Sequence, residues 1–136
     1  MNSPTAIALT SFIAWTLVLL IVMESVRSKM VLTKEIPANG FTPDNANLSP
    51  FMQRLARAHA NCLEGLPIFG GLMLIALVTQ RTAITDSMAY VLLAARILQS
   101  CIHLASLSPT AVTLRFSAFA IQVCIASYWS FRLLVG

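Results

Sequence analysis

Apolar residues fall into four long stretches along the chain, separated by polar segments. The stretches cover about residues 6–27, 50–79, 86–107 and 112–135. Each is long enough to cross a bilayer as an α-helix, which takes roughly 20 residues. The pattern predicts an all-α fold, an integral membrane four-helix bundle whose helices run alternately up and down, in a single domain over residues 1–136.

The polar segment between the first two stretches, about residues 28–49, contains IPANGFTPDNANLSP. Its proline, asparagine and glycine content favours a loop without regular structure. Ser49 followed by Pro50 is typical of a helix start, with serine at the N-cap and proline at the first helical position. The first stretch has no basic segment before it and no small-residue cleavage site after it, so we interpret it as a retained span.

The composition fits a membrane protein and excludes several other classes. Hydrophobic residues make up 57% of the 136 residues and charged residues 10%, whereas a soluble domain carries about 25% charged residues. A soluble enzyme, a disordered tail and a nucleic-acid-binding arm are therefore not expected. Cys62, Cys101 and Cys124 lie in apolar runs without disulfide or metal-ligand spacing, so we expect small buried residues and no metal site.

The basic residues predict how the chain sits in its membrane. The first loop and its borders carry Arg27, Lys29, Lys34, Arg54 and Arg57, and the opposite side carries Arg81 and Arg132. Cytoplasmic loops carry an excess of lysine and arginine. We therefore expect the loop at 28–49 to be cytoplasmic, and both termini to face the periplasm or lumen, in a bacterial inner membrane or an ER-type membrane.

Ionisable residues inside the spans are the candidates for function, because charge in a membrane is costly. At about 100° per residue, one face of the second helix collects Arg54, Arg57, Asn61 and Glu64. One face of the third collects Arg96, Gln99 and His103. Antiparallel packing would bring Arg96 near Glu64 and His103 toward Arg57, with Arg115 starting the fourth helix at the same end.

Structural interpretations of these residues remain open. Arg54 and Arg57 are also suited to anchoring at the membrane interface. Glu64 and Arg96 are also suited to a purely structural ion pair, and His103 to a hydrogen-bonded interior position. Taken together, however, arginines, an amide and a carboxylate at one end of a small bundle predict a site for a small zwitterionic ligand with several negative charges.

The second-helix sequence also carries a family resemblance. Arg54-x-x-Arg57-Ala58-His59-x-Asn61-x-x-Glu64, followed by Pro67-x-Phe69, resembles the signature of the membrane-associated proteins in eicosanoid and glutathione metabolism, the MAPEG family. Ala95-Arg96-Ile97 and Arg115 fit the same pattern, and the resemblance covers essentially the whole chain. It implies a homotrimer of four-helix bundles that binds glutathione as co-substrate between adjacent subunits near the cytoplasmic face.

Site residues follow from this resemblance position by position. Arg115 corresponds to the arginine that activates the thiol and is the candidate catalytic residue. Arg96 corresponds to the partner of the glutamate, and His103 stands where eicosanoid-synthesising members carry tyrosine. Guanidinium groups match carboxylates bidentately, which also favours Arg54 as a ligand contact. The expected glutathione-binding set is Arg27, Arg54, Arg57, His59, Asn61, Glu64, Arg96 and His103.

The departures from the family pattern narrow the expected activity. By this resemblance, Gln99 replaces an aromatic residue or a histidine, and His103 replaces a tyrosine. Gly65 replaces the tyrosine that some members carry after the glutamate. These departures disfavour an eicosanoid-specific enzyme. We expect a membrane-bound glutathione transferase or peroxidase that acts on an apolar electrophile or a lipid hydroperoxide dissolved in the bilayer. The alternatives are a non-catalytic family member that binds a lipid or partner, and a four-span multidrug exporter that depends on Glu24.

Overall fold

The structure is a computed structural model that describes residues 3–136, and those residues form helices and connecting segments without any strand. Each of the four main helices is long and apolar enough to cross a membrane, which indicates an integral membrane protein. Their bounds are α1, Pro4–Leu32; α2, Pro50–Val78; α3, Asp86–Ala105; and α4, Pro109–Val135. The first helix therefore continues beyond the predicted end at residue 27 and shortens the first loop.

Serine followed by proline starts three of the four helices. The side chains of Ser3, Ser49 and Ser108 accept hydrogen bonds from backbone N–H groups three residues further on, at 3.1, 3.3 and 3.2 Å. Each serine thus satisfies a donor that the first helical turn leaves free, and the following proline lacks such a donor. The predicted start of the second helix at Ser49 and Pro50 is confirmed.

Hydrogen bonds between neighbouring helix ends fix the up-and-down order. At one end of the bundle the Thr5 hydroxyl donates to Asp86 Oδ1 over 2.5 Å. At the other end the Arg54 Nε–H donates to the Leu104 carbonyl over 2.8 Å. The third helix contacts the other three, whereas no Cα atom of α1 lies within 8 Å of one in α4 among residues 3–136. A cavity lies between α2 and α4.

The second helix is interrupted by a π-helical turn at Leu66–Gly70. Pro67 cannot donate a backbone hydrogen bond, and the wider turn accommodates this. A Cβ atom on Gly70 would lie 3.1 Å from Leu9 Cδ1 and 3.0 Å from Leu66 Cδ1, so glycine permits the close approach of α1. The turn begins two residues after Glu64, where α2 borders the space facing α4.

Buried side chains include several polar ones as well as a hydrophobic core. Phe12, Met73, Leu92 and Trp129 lie in the larger apolar cluster. The buried polar residues of α3 and α4 are Arg96, Gln99, Ser100, His103 and Gln122. The expectation that all three cysteines are buried is wrong for two of them, because Cys101 and Cys124 lie on outward faces of their helices, while Cys62 is buried.

Candidate functional site

A cavity of about 660 Å³ lies between α2 and α4, with part of α3 at its floor. Its polar lining comes from Asn61 and Glu64 on α2, from Gln99 on α3, and from Arg115, Ser127 and Ser130 on α4. Apolar side chains line the remainder, among them Ile68, Phe116, Phe119 and Val123. We call this cavity the α2–α4 groove. It brings three of the residues in the expected site, Asn61, Glu64 and Arg115, into one hollow.

Arg115 is held in the groove by a histidine from the neighbouring helix. Its Nη1 lies 2.5 Å from His103 Nε2, and His103 is 4% exposed. The short link between Ala105, where α3 ends, and Pro109, where α4 begins, brings the two side chains together. A cation thus lines the groove in the second turn of α4.

Arg96 is buried behind the groove and does not pair with Glu64. Its side chain is 1% exposed, and Nη1 donates to Asn61 Oδ1 over 2.9 Å. Its guanidinium carbon lies 5.5 Å from the Phe12 ring centroid and 5.6 Å from that of Phe69, within the range of cation–π attraction.

The expected ion pair between Glu64 and Arg96 is therefore wrong, since the ion pair in the described residues joins Arg27 and Glu24. Arg96 instead donates a hydrogen bond to Asn61, which lies one helical turn before Glu64. Glu64 is exposed and lines the groove. Its carboxylate is consequently available to a ligand, whereas the Arg96 cation is neutralised by no carboxylate within residues 3–136.

Arg27 organises the first loop. Its guanidinium donates from Nη1 to Glu24 Oε1 over 2.9 Å and from Nε to Asn45 Oδ1 over 3.0 Å, and it lies 5.6 Å from the Phe41 ring centroid. Asn45 is fully buried and donates to the Met52 carbonyl over 2.7 Å. Arg27 thus ties the end of α1 to the loop and the start of α2. Glu24, on which an exporter would depend, is engaged in this cluster.

The same loop contains an acidic turn outside the membrane-spanning segments. The Thr42 hydroxyl donates to Asp44 Oδ1 over 2.7 Å and the Ala46 amide over 3.1 Å. These two hydrogen bonds hold the pKa of Asp44 below its usual 3.8. The loop is therefore internally hydrogen-bonded.

The remaining expected contacts lie outside the groove lining. Arg54 caps the end of α3 through the Leu104 carbonyl. Arg57 is exposed at the same end of the bundle, and His59 is half-buried on a different face of α2. His103, expected toward Arg57, contacts Arg115. Contact of Arg27, Arg54, Arg57 and His59 with a ligand stays a prediction.

Gln122 is a buried site residue that the sequence reasoning did not identify. It is fully buried on α4, and its Nε2 donates to Gln99 Oε1 over 2.8 Å. Gln99 in turn donates to Asn61 over 3.3 Å. A glutamine in an otherwise apolar span was the available signal, because such an amide requires an interhelical partner.

The groove combines groups suited to a small zwitterion. Arg115 offers donors and positive charge, and Glu64 offers a carboxylate. Negative charge placed beside Arg115 is stabilised more strongly in this apolar setting than in water. Within residues 3–136, no group of three or more histidine, cysteine, aspartate or glutamate side chains could hold a metal ion.

Comparison with known proteins gives one clear result. The model of the MAPEG family matches residues 5–135, nearly the whole chain. No curated protein and no solved structure matches the sequence. The resemblance carried by the second-helix motif is confirmed, and the four membrane-spanning helices agree with it. This chain belongs to the MAPEG family.

Proposed function

We propose that the protein is a membrane-bound glutathione transferase or peroxidase. The observation that carries the proposal is the α2–α4 groove, in which Arg115, Asn61 and Glu64 border a largely apolar cavity of about 660 Å³. The family to which the chain belongs includes glutathione transferases and peroxidases. A polar end for the thiol donor and an apolar remainder for a membrane-dissolved substrate suit that chemistry.

Glutathione carries two carboxylates, an ammonium group and a thiol. Glu64 is exposed in the groove and accepts hydrogen bonds from the ammonium. Arg57 is exposed at the same end of the bundle and binds a carboxylate, with Arg27, Arg54 and His59 as further contacts from the cytoplasmic rim. Arg96 and His103 act from behind the groove, through Asn61 and Arg115.

Arg115 stabilises the glutathione thiolate. A free thiol with a pKa near 8.5 is mostly protonated at neutral pH, and a neighbouring cation favours its charged form. Arginine remains protonated and cannot act as the base. His103 Nε2 already accepts a hydrogen bond from Arg115, so the thiol proton leaves to water.

Two reactions are open to this thiolate. With an aryl halide, the sulfur forms a bond to the ring carbon and the halide leaves with the electron pair of the broken carbon–halogen bond. With a lipid hydroperoxide, the sulfur takes the terminal oxygen to give glutathione sulfenic acid and a lipid alcohol. A second glutathione then reduces the sulfenic acid, giving glutathione disulfide and water.

The second substrate enters from the bilayer. The groove lies on the outer side of the described bundle and is lined by Ile68, Phe116, Phe119 and Val123 below the polar end. An apolar electrophile concentrated in the membrane can therefore meet the thiolate without crossing water. Holding both reactants at one site makes their reaction effectively unimolecular, which raises its rate.

We further propose a homotrimer, oriented with both termini outside and the glutathione end at the cytoplasmic face. Large apolar side chains such as Ile68 and Phe116 are 59% and 67% exposed on the single chain, which leaves surface for lipid and for neighbouring subunits. Arg27, Arg54, Arg57 and Arg115 lie toward one end of the bundle, and an excess of basic residues marks the cytoplasmic side.

Purified full-length protein in detergent or nanodiscs tests this function directly. Glutathione is titrated calorimetrically, and turnover is measured with 1-chloro-2,4-dinitrobenzene and with cumene hydroperoxide. We expect millimolar or tighter binding and turnover of at least one substrate. Absence of glutathione binding at millimolar concentration contradicts the proposal.

A non-catalytic family member is the second candidate function. Its supporting observation is that Arg27 and Arg54 are engaged within the chain, by Asn45 and by the Leu104 carbonyl, which leaves fewer cations for a ligand. Binding of a lipid hydroperoxide analogue to the groove without turnover of either test substrate would favour this candidate.

A further inference from the structure

Three buried or half-buried amides connect α4 to the groove. Gln122 Nε2 donates to Gln99 Oε1 over 2.8 Å, and Gln99 Nε2 donates to Asn61 Oδ1 over 3.3 Å. Arg96 Nη1 donates to the same Asn61 oxygen over 2.9 Å. We call Gln122, Gln99 and Asn61 the amide relay. It joins α4, α3 and α2, and it runs to a residue that lines the groove.

Arg96 at one end of the relay and the Ala118 carbonyl at the other set the direction of its hydrogen bonds. A guanidinium group can only donate, so the Asn61 atom that it contacts is the amide oxygen. The Gln99 atom that faces this oxygen must then be its NH₂ group, which turns Gln99 Oε1 toward Gln122. The NH₂ group of Gln122 donates to Gln99 Oε1, and it also donates to the Ala118 carbonyl over 3.1 Å.

The opposite orientation of Gln122 is unfavourable. A flipped side chain would place Gln122 Oε1 against two acceptors, Gln99 Oε1 and the Ala118 carbonyl. Gln122 is fully buried, and its Oε1 has no hydrogen-bond partner within residues 3–136. Leaving this oxygen unpaired costs free energy in a low-dielectric interior. The observed orientation is still the better one, because it keeps both hydrogen bonds that Nε2 donates.

The relay decides what Asn61 presents to the groove. Its Oδ1 already accepts from Arg96 and Gln99, which fills both lone-pair directions of that oxygen. Its Nδ2 has no partner within residues 3–136, and Asn61 borders the cavity. Asn61 therefore faces a ligand as a hydrogen-bond donor and not as an acceptor.

We propose that Gln122 is a positioning residue for glutathione binding: through Gln99 it fixes the Asn61 amide so that Nδ2 donates to a carboxylate or carbonyl oxygen of glutathione. This inference rests on the proposed function. Without the Gln122 donor, the Gln99 amide loses its fixed orientation and can turn its oxygen toward Asn61. Arg115 is held by His103 and not by the relay, so the effect falls on binding and not on thiolate chemistry.

The first test compares Gln122→Met with a matched control, Ser100→Ala, in full-length protein. Ser100 is also buried, and it contacts Cys62 Sγ at 3.3 Å and the Arg96 carbonyl at 3.1 Å, outside the relay. We expect Gln122→Met to raise the Kd and KM for glutathione about 3- to 10-fold, the loss of about one hydrogen bond, with kcat changed less than about 2-fold. Ser100→Ala should leave Kd unchanged. Equal Kd values for wild type and Gln122→Met, or an equal rise in the control, overturn the proposal.

Asn61→Asp tests the donor end of the relay if Gln122→Met does not assemble. The aspartate can still accept from Arg96 and Gln99 but has no proton to donate, so we expect normal assembly and at least about 10-fold weaker glutathione binding. Wild-type affinity in this variant overturns the relay. If the wild type binds glutathione and the variants bind it equally well, only the positioning role of the relay is contradicted. If the wild type does not bind glutathione, the proposed function is contradicted.

Discussion

His103 Nε2 and Arg115 Nη1 lie 2.5 Å apart and join the end of α3 to the start of α4. Because arginine only donates, Nε2 accepts, and the proton of the neutral imidazole sits on Nδ1. That Nδ1 is buried without a partner within residues 3–136. His103 thus holds a guanidinium group at the groove.

Replacing Arg115 by alanine should impair the chemical step. The groove would lose the cation that stabilises the thiolate, so we expect kcat to fall by about 10-fold or more at neutral pH, with less change in the Kd for glutathione. Thiolate absorbance measured against pH should shift toward higher pH. The matched control is Arg132→Ala, an exposed arginine near the other end of α4. Unchanged turnover in Arg115→Ala contradicts the activating role.

Replacing Arg57 by alanine should weaken binding without affecting chemistry. The exposed guanidinium is expected to hold a glutathione carboxylate, and loss of one such charged contact costs about 1.5–3 kcal/mol, roughly a 10- to 100-fold rise in Kd. Calorimetry measures this rise. Lys29→Ala removes another exposed positive charge at the same end and should change Kd little. A similar rise in both variants would indicate general electrostatic attraction instead of a specific contact.

Asn61 and Glu64 should differ sharply in their effects on stability. Asn61→Leu removes the hydrogen-bond acceptor of the buried Arg96 side chain, so we expect destabilisation of about 1–3 kcal/mol or more. Glu64→Gln changes an exposed side chain that forms no ion pair in the described residues and should leave the Tm in detergent unchanged. An equal loss of Tm in both variants would show that Glu64 pairs with Arg96 in the assembled protein.

Two glycines of α2 offer a matched pair for steric effects. A Cβ atom on Gly65 would lie 2.8 Å from Arg96 Nη2 and 3.1 Å from the Phe69 ring, whereas one on Gly71 would meet nothing within 4 Å. Gly65→Ala should therefore destabilise the protein by about 1–3 kcal/mol. Gly71→Ala should be neutral or stabilise the helix by up to about 1 kcal/mol. Thermal unfolding in detergent measures both, and a neutral Gly65→Ala would contradict the tight packing around Arg96.

Much of the fold could be predicted from the chain alone, because a bilayer imposes a strong length and polarity requirement. Four apolar stretches, the polar loop and the Ser49-Pro50 start all correspond to observed elements. The end of α1 could not be placed, since Ser28 and Lys29 interrupt the apolar run and suit a loop as well as a polar turn of a continuing helix. Helical spacing also predicted that Arg96, Gln99 and His103 share a buried face.

Partner choice within the site could not be predicted in the same way. Helical spacing places Asn61 and Glu64 on one face of α2, one turn apart, and either could have met Arg96. The depth at which α3 packs against α2 selects Asn61, and Glu64 is left facing the groove.

The sequence by itself determined that four helices span a membrane, that their basic ends gather on one side, and that the chain carries the MAPEG motif. These properties depend on composition and periodicity, which are local. The tertiary structure alone decided that Arg96 binds an amide, that His103 holds Arg115, and that Gln122 reaches the groove through Gln99. Such choices depend on the relative depth and rotation of neighbouring helices, and side-chain packing across the whole bundle sets both.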